Sequence, residues 1–169
     1  GVRQDDVLLS IAPLYHIAGM LMGINCPVYA GATSVLLYRF DPVAVLQAIP
    51  LYKITWWYSI APMNVAVMAV PGAKERDLSS LRMNPVTSFG ITFTEPLAQQ
   101  WKQYAPNCSP FEAAYGLSET HTCDTYMPHD AVRWGASHAH QIKTLDQIWS
   151  TFILDFISGT TPSAWQKSS

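Results

Sequence analysis

Within six residues, Tyr115-Gly116-Leu117-Ser118-Glu119-Thr120 gathers an aromatic ring, a glycine, two hydroxyls and a carboxylate. That set suits a nucleotide. Gly116 lets backbone approach a ligand closely, the Ser118 hydroxyl can donate to a phosphate oxygen, and Glu119 is the hard oxygen ligand required by a magnesium ion that bridges phosphates. The Tyr115 ring can stack on a purine. The same hexapeptide also reads as an ordinary polar loop between a strand and a helix, with Ser118 as its cap. A second group, Pro13-Leu14-Tyr15-His16-Ile17-Ala18-Gly19, sets an aromatic and an imidazole at a strand end, followed by small residues that leave room. Taken alone, His16 reads equally as a packed loop imidazole. His121, Cys123 and Asp124 are types that serve as nucleophiles or metal ligands. A His and a Cys two apart do not face one metal from an extended strand, and no second ligand pair lies near, so an ordinary loop is expected there. His138 and His140 read as an exposed pair.

The elements that must position these groups alternate. Short apolar or β-branched runs at 7–12, 33–38, 54–60, 86–90 and 111–116 predict strands. Helices are expected at 17–28, as a buried apolar segment, and at 42–51, 63–70 and 95–104. The helix at 42–51 carries the clearest start signal, Asp41-Pro42, with Val45, Leu46 and Ile49 turned inward. The run 74–77 is expected to be a solvated loop. Strand and helix alternation predicts an α/β fold with a largely parallel sheet and flanking helices, in which ligands bind where loops leave the carboxyl ends of strands. The loops after Ala12, Ser88 and Ala114 are therefore the candidate positions. From about Gly135 the alternation gives way to a Ser/Thr-rich end that fits no element of this pattern.

Composition narrows the class. The 169 residues are 49% hydrophobic and 13% charged, so the chain is too apolar for a disordered segment. The charged share is about half of what soluble domains carry, and it suggests a surface meant for a partner. A net charge of -2 and scattered Lys and Arg give no footprint for nucleic acid. Cys26, Cys108 and Cys123 are odd in number and far apart, as expected of buried thiols in a reduced, cytoplasmic setting. The apolar stretch 17–29 is interrupted by Gly19, Gly23, Asn25 and Pro27, and no transmembrane segment is expected.

The two candidate groups occur together in the order and separation of one family. The Pro13-to-Gly19 segment resembles the Pro-aromatic-His core motif of the adenylate-forming (AMP-binding) acyl-CoA synthetase/ligase superfamily. Tyr115 to Thr120 resembles that family's Tyr-Gly-(small or Leu)-Thr-Glu motif, with Ser118 in place of Thr. Phe89-Gly90 and then Glu95-Pro96-Leu97 resemble its Gly-rich adenine-binding turn and the following helix, although Phe89, Ile91 and Thr92 stand where small residues are common. The resemblance covers residues 5–134 and implies a subdomain of the family's large N-terminal domain. It implies that Gly90, Tyr115, Gly116 and Leu117 border the adenine, that Ser118 contacts phosphate, that Glu119 is catalytic and holds Mg²⁺, and that His16 is catalytic and lines the acyl carboxylate site. It further implies ATP, Mg²⁺ and CoA as cofactors and substrates, and a carboxylic acid with an apolar acyl chain as the partner to be activated.

The family also carries an upstream phosphate loop ending in Lys, and downstream a ribose-binding Asp, a hinge and a small domain with a catalytic Lys; none is matched here. The expectation is therefore a partial AMP-binding domain at 1–134, lying inside a longer protein whose remainder is its missing partner, and a tail at 135–169 of unassigned structure. Loss of several charge-stabilising groups, each typically worth about a hundredfold, implies a nearly inactive isolated chain. The readings kept beside this one are a non-catalytic nucleotide- or acyl-binding module and a purely structural fragment. A shifted reading frame or altered splicing near Gly135 would explain the tail. Sequencing the encoding locus checks this: a clean open frame encoding the same tail in homologous chains removes the idea.

Overall fold

The computed structural model describes residues 1–112, 132 and 134, together with the strand backbone at 114–117 and 122–126. β1 (Val7–Ser10) is followed by a helical run made of α1 (Ile17–Met20), a π-helical turn (Leu21–Asn25) and α2 (Cys26–Ala30). Next come β2 (Thr33–Leu36), α3 (Pro42–Tyr52), β3 (Trp56–Trp57), β4 (Ser59–Ile60) and α4 (Ala61–Met68). A 3₁₀ turn (Ala73–Glu75), β5 (Met83–Thr87), α5 (Glu95–Lys102) and β6 (Ser109–Glu112) complete the main layer. β7 (Ala114–Leu117) and β8 (Thr122–Tyr126) form a separate antiparallel pair.

The main sheet has six strands, all paired in parallel. β1 lies between β2 and β3, and β5 lies between β3 or β4 and β6. The expected strand at 54–60 is two pieces, which follow β5 in one register, Trp56 opposite Met83 and Ser59 opposite Val86. From β1 the chain steps to β2 on one side, and through α3 to β3 on the other. The direction of winding thus changes beside β1, where doubly wound sheets open a crevice at their carboxyl edge.

Alternate side chains of each strand serve opposite layers. Leu9, Ile11 and Trp57 join Val45, Leu46 and Ile49 of α3, Val67 and Met68 of α4 and Trp101 of α5 in one cluster. Leu8, Trp56, Met83 and Phe111 face the other way, against Met22 of the π turn. Trp57 and Trp101 meet at 5.8 Å with tilted rings, the geometry aromatic pairs favour. The α3 start follows its sequence signal, with Asp41 Oδ1 accepting from the Val43 and Ala44 amides at 2.8 and 3.3 Å.

Three expectations need correction. The apolar run at 17–28 is not a buried helix: it covers one face of the sheet with Gly19, Gly23 and Pro27, and leaves Ile24, Val28 and Tyr29 exposed, because no further layer lies over it among the described residues. The strand expected at 111–116 divides at 113 between the parallel sheet and the β7–β8 pair. Of the cysteines, Cys108 is buried and its thiol is pushed up to about 12 by burial, while Cys26 is only half-buried, its thiol raised for the same reason. The Cys123 side chain lies outside the described residues.

Two polar devices lock the layers. Under α4, Ser59 Oγ donates to Asn84 Oδ1 (2.7 Å), Asn84 Nδ2 to Asn64 Oδ1 (2.6 Å) and Asn64 Nδ2 to Ser59 Oγ (2.7 Å), a closed ring of three fully buried groups. At the amino edge of the sheet, Asp6, Thr55 and Arg82 each stand one residue before a strand, β1, β3 and β5. The Asp6 carboxylate, 3% exposed, accepts from Thr55 Oγ1, the Arg3 amide and Arg82 Nη2, all at 2.7 Å. Thr55 Oγ1 in turn accepts from the Val7 amide at 3.0 Å. Burial alone would raise the Asp6 pKa. The Thr55 hydroxyl, the Arg3 amide and the Arg82 guanidinium outweigh it and hold the carboxyl below its ordinary 3.8. A lowered folded-state pKa contributes stability that is present above the unfolded value and lost as pH falls through the folded one. Asp6→Ala should therefore cost about 2 kcal/mol at neutral pH, since it removes three hydrogen bonds and leaves the partly exposed Arg82 guanidinium and the Thr55 hydroxyl without that acceptor. In urea titrations the wild-type chain should lose stability below about pH 4, and Asp6→Asn should show a flatter acid limb.

Candidate active site

The turns that leave the carboxyl edge of the sheet carry the candidate groups. After β1 the chain folds back at Pro13, whose carbonyl accepts from the His16 amide at 2.9 Å. His16 then caps α1: its Nδ1 accepts from the Ala18 amide at 3.2 Å. With Nδ1 occupied as an acceptor, the neutral imidazole carries its proton on Nε2, which makes the exposed edge of the ring a hydrogen-bond donor. Tyr15 beside it is fully in solvent. The turn is held from beneath by Gly19. A Cβ at Gly19 would lie 2.1 Å from the Pro13 carbonyl oxygen and 2.6 Å from that of Ala12, both backbone atoms with nowhere to go.

After β5 the chain makes a narrow turn in which Phe89 and Ile91 bridge across Gly90, whose φ is +71°. Open space surrounds Gly90, and Phe89 is 70% exposed, so the tip presents backbone and an aromatic ring to solvent. The base of the turn is closed by Ser88, whose Oγ accepts from the Phe93 amide at 2.9 Å and donates to Glu112 Oε1. Phe93 is buried with Ala61, Val86 and Ala98, and its ring meets Trp134 at 5.9 Å. β1 and β5 are separated by one strand, so the His16 and Gly90 turns leave the sheet about 10 Å apart.

Tyr115, Gly116 and Leu117 lie in β7, beside β5, and pair with β8 through Thr125, Cys123 and Thr122. A register shift falls between Tyr115 and Gly116, a bulge of the sort that re-aims a strand. The candidate position after Ala114 is thereby moved: Ala114 is inside a strand, and the connection follows Leu117. Ser118 and Glu119 lie outside the described residues, as do Thr120 and His121. Cys123 and Asp124, expected in a loop, are in β8, and His138 and His140 lie outside the described residues. Glu112 is the group that sequence reasoning passed over. It stands in the same strand-like run as Tyr115, and a lone carboxylate in an otherwise apolar run was its only signal.

Among the described residues no three His, Cys, Asp or Glu side chains could together hold a metal ion. No helix among them is long and apolar enough to cross a membrane. The family model for the AMP-binding enzyme matches residues 1–147. The chain belongs to the AMP-binding enzyme family. It is 33% identical over 132 residues to 4-coumarate--CoA ligase-like 5 of Oryza sativa subsp. japonica, a match that takes in 77% of this chain and 24% of that protein. In structure it is similar to O-succinylbenzoate coenzyme A synthetase from Bacillus subtilis, solved in complex with ATP and magnesium ion, at TM-score 0.62 and 25% identity over 77% of this chain and 26% of that one. The anthranilate CoA ligase solved with anthranoyl-AMP shares the fold at TM-score 0.72 and 23% identity, covering 85% of this chain and 27% of that chain. The chain thus spans about a quarter of the length of the relatives it matches. The α/β fold, a parallel sheet with flanking helices, is shared with these solved structures.

The two turn glycines make opposite predictions. Gly90→Ala meets no neighbour and should cost only about 1 kcal/mol of left-handed backbone strain. Gly19→Ala collides with two carbonyls and should cost about 3 kcal/mol, although its backbone is helical. Denaturant melts of the two variants check the order.

Proposed function

We propose that this member of the AMP-binding enzyme family supplies part of the ATP and acyl-carboxylate site of an ATP-dependent acid–CoA ligase, acting on a carboxylic acid with an apolar acyl chain. In that reaction a carboxylate oxygen attacks the α-phosphorus of ATP, the bond to the β-phosphate oxygen breaks, and pyrophosphate leaves an acyl-adenylate. The thiolate of CoA then attacks the acyl carbon, and AMP departs with the acyl oxygen. Such chemistry depends on positioning and on charge stabilisation more than on covalent participation by the protein.

The observation that carries the reading is the arrival of the His16 turn and the Gly90 turn at one carboxyl edge, with β7 beside β5, next to the change of winding direction. In this reading the Nε2–H of His16 donates to the acyl carboxylate and orients it for attack. Gly90, Tyr115, Gly116 and Leu117 border the adenine, and Ser118 donates to phosphate. Mg²⁺, which would neutralise phosphate charge when bound, is assigned to Glu119. We further propose that residues 1–134 are a partial adenylation domain, that 135–169 form a distinct tail, that the setting is cytoplasmic, and that the 169 residues alone bind without turning over.

Calorimetric titration with a non-hydrolysable acyl-adenylate analogue tests the assignment. Wild type should bind, and the Glu119→Ala/His16→Ala double variant should bind at least about tenfold more weakly, because two charge-assisted or polar contacts are lost. Pyrophosphate release from ATP and a fatty acid should be undetectable for both. Equal affinity of wild type and variant would remove His16 and Glu119 from the site, and no binding by a chain that is folded by circular dichroism would leave the family scaffold without the ligand reading.

A further inference from the structure

Glu112 ends β6 with its side chain 3% exposed, and a carboxylate is removed from water at that depth only where hydrogen bonds offset the loss. Its partner is Ser88 Oγ, the first residue beyond β5. The same oxygen accepts from the Phe93 amide at 2.9 Å, five residues further on. The hydroxyl is therefore used in both directions, and its donor side is fixed by the carboxylate, which leaves its lone pair directed at Phe93. Between those two points Phe89 to Thr92 are exposed, Phe89 and Ile91 bridge each other, and a side chain at Gly90 would meet nothing within 4 Å. The conformation of the Gly90 turn is thus decided at its base.

We propose that Glu112 is a positioning residue that, through Ser88, holds the turn at Phe89–Gly90–Ile91 in the shape that receives the adenine of a nucleotide. The proposal rests on the nucleotide reading of that turn. A neutral acceptor at 112 would hold Ser88 nearly as well, whereas an apolar side chain would free the hydroxyl to rotate and release the Phe93 amide. The role is distinct from core packing: the ring of Phe93 is buried with Val86 and Ala98, whereas the clamp acts on its amide.

Amide hydrogen exchange of the full 169-residue chain, read at Phe93 and beside it AMP affinity by calorimetry, tests this. Glu112→Leu should speed exchange at Phe93 by about tenfold or more while the amides of β1 and α3 keep their protection. It should also weaken AMP binding by about fivefold or more, and Glu112→Gln should restore both to within about twofold of wild type. If Glu112→Leu does not fold, the Ser88→Ala/Glu112→Leu double variant, which strands no side-chain polar group and frees the Phe93 amide directly, gives the same reading. Wild-type exchange at Phe93 with wild-type AMP affinity in either apolar variant overturns the proposal, as does a loss of protection spread evenly over β1, α3 and Phe93. If the wild-type chain binds no AMP, the nucleotide reading is what fails, and exchange at Phe93 alone then upholds or overturns the clamp.

Discussion

Parallel strands have no hairpins to hold neighbouring ends together, so their register must be fixed by crossovers and by side chains at the edge. In this chain the second task falls to Asp6. Its carboxylate is shared by Thr55 and Arg82, and these three residues immediately precede the central strands β1, β3 and β5. With the amino ends tied, the carboxyl ends of the same strands are placed as a set, and so are the turns that grow from them. The cost of burying a charge at the amino edge is offset there by its hydrogen bonds and ion pair.

At the carboxyl edge the same economy recurs on a smaller scale. Ser59, Asn64 and Asn84 close a ring that seats α4 on β4 and β5. Ser88 and Glu112 fix the base of the Gly90 turn. Gly19 admits the Pro13 carbonyl and thereby sets the turn that presents His16. The Ser59–Asn64–Asn84 ring is fully buried, while the other two devices each end in an exposed group: the Phe89–Ile91 tip and the Nε2 edge of His16. An arrangement of rigid supports beneath exposed contacts is what a binding edge requires.

Much of this was legible from the residues. Asp41-Pro42 announced α3 and its inward Val45, Leu46 and Ile49, because a cap and a fixed proline φ are local facts. The alternation of β-branched runs with helical segments announced the α/β class, and the two motifs announced the family. What was not legible depends on partners distant in sequence. Whether the apolar run at 17–30 is covered is settled by the layer outside it, not by its own hydropathy. The run at 54–60, whose propensity is high throughout, is split into β3 and β4, and the run at 111–116, which looks continuous, is shared between β6 and β7, because pairing partners on β5 and β8 decide where a strand ends. Asp6 and Glu112 looked like ordinary carboxylates, since their side-chain partners lie between 24 and 76 residues away. At the site itself, the residue types were readable from the sequence, whereas the tautomer of His16 and the clamp beneath Gly90 needed coordinates.

The central claim is that the carboxyl edge, and not the tied amino edge, is where a nucleotide meets this chain. Amide chemical-shift mapping with AMP addresses it directly. The account predicts saturable shifts confined to the turn after β1, to residues 88–93 and to β7, with the amides of Asp6, Thr55 and Arg82 unmoved. Shifts centred on the amino edge or on the exposed strand β2, or no saturable shift at any amide, would contradict it.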